Sequence, residues 1–453
     1  MSNGLPQRRS IFSGLLLILI GVLFILHRHY PALGVGHLFR AYWPLILIAW
    51  GLAKLYDNFS SRGFDERRPP IVSGGEVALI VLLVVVVSGM SGFDWVRERN
   101  PDMDFTDLWV DRGVPVTETI GPVPVKANSP VVIETTNGDV TVFADEPGGV
   151  RVVATKKVSA VSDDASRKRG EQIHIQIDPV NGGCLIHPSG ATGGTGHAVV
   201  DLEVHLPKQV TVTVKTDKGD INLNGIAGEV SATSQHGDVE VHDIRGNVNA
   251  TLDSGDVRIT NVQGDVHIEG RGNEVSVSKV SGDATLNGDF YGTISISDVA
   301  QTTHYTSTRT DLSIGRLNGS VDMDSSSLQI SDAAGNIKLA TRDRDVDIQN
   351  PMGRVEVNGK HGDISVTLKQ PPKEEISITN DSGGVELALP SKSTFEISAA
   401  SKSGDVQSEF DADGLVEQNQ GDSGKLEGKV GMRGPKITIA TSYGTIDLQK
   451  SDG

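Results

Sequence analysis

The amino-acid sequence predicts an all-β protein, a β-solenoid (β-helix) of about 18-residue coils, with an N-terminal α-helical transmembrane region of three spans. Three observations predict it. A short segment of the form x-V-x-V returns every nine residues from Asp220 onward, and three long apolar runs occupy the first 93 residues. Glycine is abundant, 52 of 453 residues, while aromatics make up only 5%. That combination calls for many tight turns around small aliphatic side chains and leaves little material for aromatic-lined pockets.

In chain order, the first element is the transmembrane region, residues 1–93, with spans at about 11–26, 38–56 and 77–93. Ile11–Leu26, Leu38–Tyr56 and Val77–Phe93 each approach the length needed to cross a hydrocarbon core of ~30 Å. The first and third lack a polar face at helical spacing, so they do not read as helices of a soluble domain. Arg8 and Arg9 precede an apolar stretch, yet no small-x-small cleavage site follows Leu26, so the first run reads as a retained anchor. Arg8 and Arg9 before the first span, and Lys54, Arg62, Arg67 and Arg68 between the second and third, place the N-terminus and second loop in the cytoplasm. Three crossings then leave everything after about Phe93 on the outer side of a bacterial cytoplasmic membrane. Trp43 and Trp95 stand where interfacial anchors stand. The run GLLLILIGVLFIL followed by YWPLILIAWGLAKL resembles the LiaI/LiaF-like transmembrane region of bacterial envelope proteins over roughly residues 11–56.

Residues 94–129 read as a linker and 130–219 as the N-terminal part of the β domain, with strand-like VVIET, DVTVF, VRVVATKKV and VTVTVKT. The regular repeats fill 220–370. Positions 220, 229, 238, 247, 256, 265, 274 and 283 each begin a unit, and after a looser stretch the series resumes at Asp311, Ser320, Ser327, Asn336, Asp345, Arg354 and Asp363. Alternate units carry a third aliphatic residue near their end, such as Ile226, Ile244 and Val262, so the true repeat is two units long. Within a unit, residues i and i+2 share a face: Val239 and Val241 point inward while Glu240 points out. Gly before the strand supplies the corner conformation, and the Asp or Asn after it caps turn N–H groups. Residues 371–453 form C-terminal coils and a cap.

The motifs NGDV at 137–140, HLPKQVTVTVKTDKGDI at 205–221, SGDV at 254–257 and 403–406, and the closing GPKITIATSYGTIDL resemble the adhesin-type β-strand-repeat domain of bacterial envelope proteins over roughly 130–450. The resemblance implies surface binding and carries no catalytic motif with it.

Chemistry is sparse. The RTX β-roll also repeats at nine residues, but it needs paired glycines and an Asp two positions before the inward aliphatic residue, whereas here the Asp directly precedes it. Asp343, Asp345 and Asp347, beside Arg342 and Arg344, read by alternation as three carboxylates on one outward face, either a solvated charge stripe or the acids of a glycan-degrading β-helix. His236 and His361 fall at turns, and no cluster shows metal-ligand spacing. Asn222, Ser231, Glu240, Asn249, Arg258 and His267 form outward polar rows without aromatic platforms for sugars. No catalytic, cofactor-binding or metal residue is assigned, and no cofactor is expected. A lone cysteine, Cys184, precludes an internal disulfide. The net charge of −17 arises beyond residue 110, where 31 basic residues face 49 acidic ones, which argues against nucleic acid as a partner.

The expected function is therefore non-enzymatic: a membrane-anchored cell-envelope protein whose extracytoplasmic β-solenoid is an adhesin-like or scaffold binding surface, with the lipid bilayer and an envelope protein or glycan as partners. The alternative is a LiaF-like regulator of an envelope-stress sensor kinase, which would make that kinase the partner. A glycan-degrading enzyme is the second alternative.

Overall fold

The computed structural model describes residues 113–451 except 161–162, 181 and 191–197. The nine-residue period resolves into two sheets that share one core. Ile221–Asn224, Val239–Ile244, Val257–Val262, Val275–Val280 and Ile294–Val299 stack in parallel in the first sheet. Thr211–Lys218, Val230–His236, Val248–Leu252, Val266–Gly272, Ala284–Phe290 and Thr303–Thr306 stack in parallel in the second. Val239 lies opposite Val257 and then Val275, and Val230 opposite Val248 and then Val266. One coil is thus two strands, as the alternation of unit types implies.

The third aliphatic residue of the first-sheet strands has a local cause. Asp243, Asn261, Lys279 and Asp298 adopt positive φ, between 54° and 59°. This turns the chain by one position, so Ile244, Val262, Val280 and Val299 re-enter the core instead of facing solvent. Asp and Asn tolerate this conformation better than Lys does. The resulting core is a column of Val, Ile and Leu joined by a few aromatics such as Tyr305 and Phe395.

The looser stretch near residue 300 is a change of direction. Thr310–Ile314 pairs antiparallel with both Thr303–Thr306 and Ile337–Asp343, and Leu317–Met323 pairs antiparallel with both Ile294–Val299 and Ser327–Ala333. The units at Asp311 and Ser320 keep the spacing of the series but run backward. Two short turns make the switch. Ser307 Oγ accepts the N–H groups of Arg309 and Thr310, at 3.3 and 3.0 Å, and Asp324 Oδ1 accepts those of Ser326 and Ser327, both at 2.7 Å. Arg344 ties the two turns together from inside: its Nε donates to the Asp324 carbonyl at 2.7 Å and its Nη1 to Thr310 Oγ1.

Parallel stacking then resumes with Asp345–Gln349, Ile364–Thr367 and Val385–Pro390 in the first sheet, and with Val355–His361 and Ile376–Ser382 in the second. The last strands in sequence are not the last in space. Lys436–Tyr443 inserts between Ile376–Ser382 and Phe395–Ser403, and Ile446–Ser451 between Val385–Pro390 and Val406–Ser408. The hairpin of Leu415–Gln420 and Ser423–Val430 closes that end of the second sheet.

At the other end, Val116–Val123, Val150–Val158 and Ala198–His205 form an antiparallel extension of the first sheet through Val140–Phe143. Val116–Val123 lies within the stretch expected as a linker. The short helix Asp163–Glu171 carries acids in its first turn and bases in its last, in accord with its dipole. Ser166 on this helix donates to the Val158 carbonyl at 2.6 Å and accepts from the Val114 N–H at 3.0 Å. Buried Lys156 is satisfied by Glu118 Oε2 at 2.8 Å and the Ile173 carbonyl at 2.7 Å. The three expected membrane spans fall outside the described residues, and among the described residues no helix is long and apolar enough to cross a membrane.

Candidate functional site

A groove of about 480 Å³ runs along the outer face of the first sheet, and the corner motif builds it. Each Gly-Asp corner packs directly on the one below: a Cβ at Gly237, where φ is +146°, would sit 2.1 Å from the Gly219 carbonyl oxygen. Only glycine permits that approach. The following Asp bonds the next coil. Asp139 Oδ1 accepts the Asp220 N–H at 2.9 Å, Asp220 that of Asp238 at 2.8 Å, Asp238 that of Asp256 at 2.8 Å, and Asp256 that of Glu274 at 3.0 Å. A second such column runs through Asn247, Asp265 and Asp283 on the other sheet. Since Asn serves as well as Asp, the bond needs an acceptor and not a charge. These carboxylates therefore cap strands, and among the described residues no group of His, Cys, Asp and Glu is placed to hold a metal.

The groove's floor is the outward row next to this column. Glu240 is its hub: Oε1 lies 2.9 Å from His242 Nε2 and 3.8 Å from an Arg258 nitrogen, while Oε2 accepts from Asn222 Nδ2 at 3.3 Å. Burial pushes the Asp220 carboxyl above its ordinary range; the Asp238 N–H pulls the other way, and the carboxylates of Asp139 and Asp238 add to the rise. The rows named from the sequence divide between the sheets. Asn222, Glu240 and Arg258 line the groove, whereas Ser231, Asn249 and His267 stack on the second sheet.

The acidic trio does not converge. Alternation predicts Asp343, Asp345 and Asp347 on one face, but the chain passes from one sheet to the other at Arg344, and alternation does not survive a corner. Asp343 ends a strand of the second sheet and lies 3.3 Å from His361 Nδ1. Asp345 accepts the Asp363 N–H at 2.9 Å as a corner cap, and Asp347 Oδ2 accepts from Gln349 Nε2 at 2.7 Å. Arg344 points inward and is buried. His236 ends its strand exposed, in register with Lys218.

One ionisable cluster has only a faint sequence signal, the Glu-x-His spacing of a strand. His205 is stacked on Phe143, with centroids 5.5 Å apart, and held between Asp145 at 2.7 Å and Glu203 at 2.8 Å through its two ring nitrogens. Burial disfavours its charge, but the two carboxylates outweigh it and raise the imidazole above its ordinary value. Two carboxylate acceptors match the two N–H donors of an imidazolium, the form this cluster favours. Cys184 is buried and its thiol is pushed up to about 11, which makes it unreactive.

The Toastrack DUF4097 family model matches this chain twice in succession, over residues 128–266 and 265–449, and the LiaI-LiaF-like transmembrane region matches residues 11–55. No curated protein matches. Similar solved structures include a provisionally named cell adhesion protein from Clostridium sporogenes, 9% identical over 75% of this chain and 100% of that one, with a TM-score of 0.17. Two others come from Parabacteroides distasonis. One is provisionally named an adhesin, at 10% identity over 74% and 98% of the two chains with a TM-score of 0.22. The other is provisionally named a lipid binding protein, at 11% over 74% and 97% with a TM-score of 0.21. Likenesses this slight carry no functional weight.

Proposed function

The chain belongs to the Toastrack DUF4097 family, and from that premise we propose that it is a non-enzymatic, membrane-anchored cell-envelope protein whose β-stack is a binding surface. Three spans at about 11–26, 38–56 and 77–93 hold it, with the N-terminus cytoplasmic and the β domain extracytoplasmic. The observation that carries this reading is the groove. Its outward side chains, such as Asn222, Glu240 and Arg258, are polar, regularly spaced and tied to one another, an arrangement suited to recognising an extended envelope partner and unsuited to bond-breaking chemistry. With Asp343, Asp345 and Asp347 each occupied separately, nothing favours glycan degradation.

The match of residues 11–55 to a LiaI-LiaF-like region favours a second reading, restraint of an envelope-stress sensor kinase through the spans. Replacing residues 1–93 with an unrelated anchor separates the two. A binding protein keeps its cell-surface phenotype after the exchange, and a regulator loses it. Loss of function despite normal surface display would sink the binding reading.

A further inference from the structure

The four edges of the two sheets are finished differently. At the N-terminal end of the first sheet, Val116–Val123 is broken by a register shift between Ile120 and Val123 that contains Gly121 and Pro122. At the matching end of the second sheet, His174–Val180 carries Pro179. The far edge of the first sheet, Val406–Ser408, is three residues long, and the Asn419 amide covers it: Oδ1 accepts the Val406 N–H and Nδ2 donates to the Val406 carbonyl, both at 3.2 Å. Bulges, prolines, short strands and side-chain caps all stop unwanted strand pairing.

The fourth edge has none of these. Leu415–Gln420 is six residues long, free of proline, and pairs without a register break from Leu415 opposite Gly428 to Gln420 opposite Ser423. Val416 to Gln420 are all exposed, and among the described residues no strand lies against the other side. In a hairpin closed by a two-residue loop, the pair beside the loop exchanges both backbone bonds. Gln420, Gln418 and Val416 therefore face the hairpin partner, while Glu417 and Asn419 present their backbone groups outward.

We propose that this edge is a homotypic docking strand, on which a second copy of the chain adds its own Leu415–Gln420 antiparallel, with the two-fold axis through Gln418. Paired with itself, the edge is self-complementary, offering a register in which no like charges meet. A two-fold axis normal to the sheet must pass through one residue. Centred on Glu417 it would set two carboxylates face to face; centred on Gln418 it sets Gln opposite Gln and Glu417 opposite Asn419 of the other copy. The same register puts the outward backbone groups of Glu417 and Asn419 in hydrogen-bonding pairs and leaves Gln418 in the closely spaced pair between them. One strand pair is a small interface, so single contacts are weak and arrays of anchored copies supply the strength.

The test uses the full-length chain in detergent, with Gln418→Cys, Val416→Cys and Gln420→Cys compared under mild oxidation. Native Cys184 is buried and stays silent. Position 418 alone faces its own copy at a separation a disulfide can span, so its linked dimer should exceed that of either other variant by roughly tenfold. Mixing Val416→Cys with Gln420→Cys should restore the link. Equal yields at the three positions, no link at 418, or a link to a different protein overturns the proposal. Gln418 is exposed, and an unchanged circular dichroism spectrum checks that the variants fold. Gln418→Lys, which sets two ammonium groups opposite each other, should abolish self-association of the full-length chain in detergent, and unchanged self-association would overturn the proposal.

Discussion

The regular coils between Ile221 and Val299 and the reversed coil between Thr310 and Met323 share a spacing and an aliphatic core, yet they are held in different ways. In the regular array every coil repeats the same bond, an Asp or Asn side chain capping the next strand, so the load is spread over many equivalent contacts. In the reversed coil a single buried guanidinium serves both turns at once. Repetition tolerates loss; a single tie does not.

The largest effect should therefore come from Arg344. Arg344→Met leaves the buried Thr310 hydroxyl unpaired and frees the part-buried Asp324 carbonyl, and we expect a loss of about 2–3 kcal/mol, measured by denaturant unfolding. Arg344→Lys should recover only part of it, because a point ammonium cannot reproduce the fork that spans the two turns. A fully stable Lys variant would contradict the two-turn role.

This contrast also explains what could be read from the sequence. The period was legible because each coil repeats its neighbour's chemistry, and Val239, Val257 and Val275 announce one another. The reversal was not, because alternation in TDLSI reads the same whichever way the strand runs. Arg344 breaks alternation silently, and with it the grouping of Asp343 with Asp347. The insertion of Lys436–Tyr443 into the stack has no local signature, since its pattern suits any layer. The open edge at Leu415–Gln420 is polar, and polar strands read as loops. The groove residues Asn222, Glu240 and Arg258 were visible as an outward row, but their joining around Glu240 depends on which units share a sheet.

Within the regular array the effects should be smaller. Asp238→Ala removes one cap and should cost about 1 kcal/mol, while Asp238→Asn keeps the acceptor and should stay within about 0.5 kcal/mol of the parent in the same unfolding measurement. Equal losses would mean that charge, not the acceptor, matters.

pH should separate the N-terminal end of the described chain from the reversed coil. His205 has a raised pKa, so its contribution is complete below about 6.5 and is lost as pH rises through the folded value. Asp324 is held down to about 2 by the N–H groups of Ser326 and Ser327, so its contribution is present above 3.8 and is lost as pH falls through about 2. Hydrogen exchange should show alkaline loosening near Ala198–His205 and acid loosening near the 324–327 turn. His205→Gln should abolish the first and leave the second.

The smallest effect should be a gain. Lys279 occupies a positive-φ site that Asn fills one coil earlier, at Asn261. Lys279→Asn should stabilise the fold by roughly 0.5–1 kcal/mol, read as a higher unfolding midpoint.

The claim that the β-stack binds an envelope partner is tested most directly by crosslinking on intact cells. A photoreactive probe at Asn222, in the groove, would be compared with one in the 11–26 span, and the captured species identified. Adducts to glycan or to an envelope surface protein are expected from the groove probe, lost when Glu240→Gln is introduced. Capture of a sensor kinase from the span probe alone, with a silent groove, would contradict it.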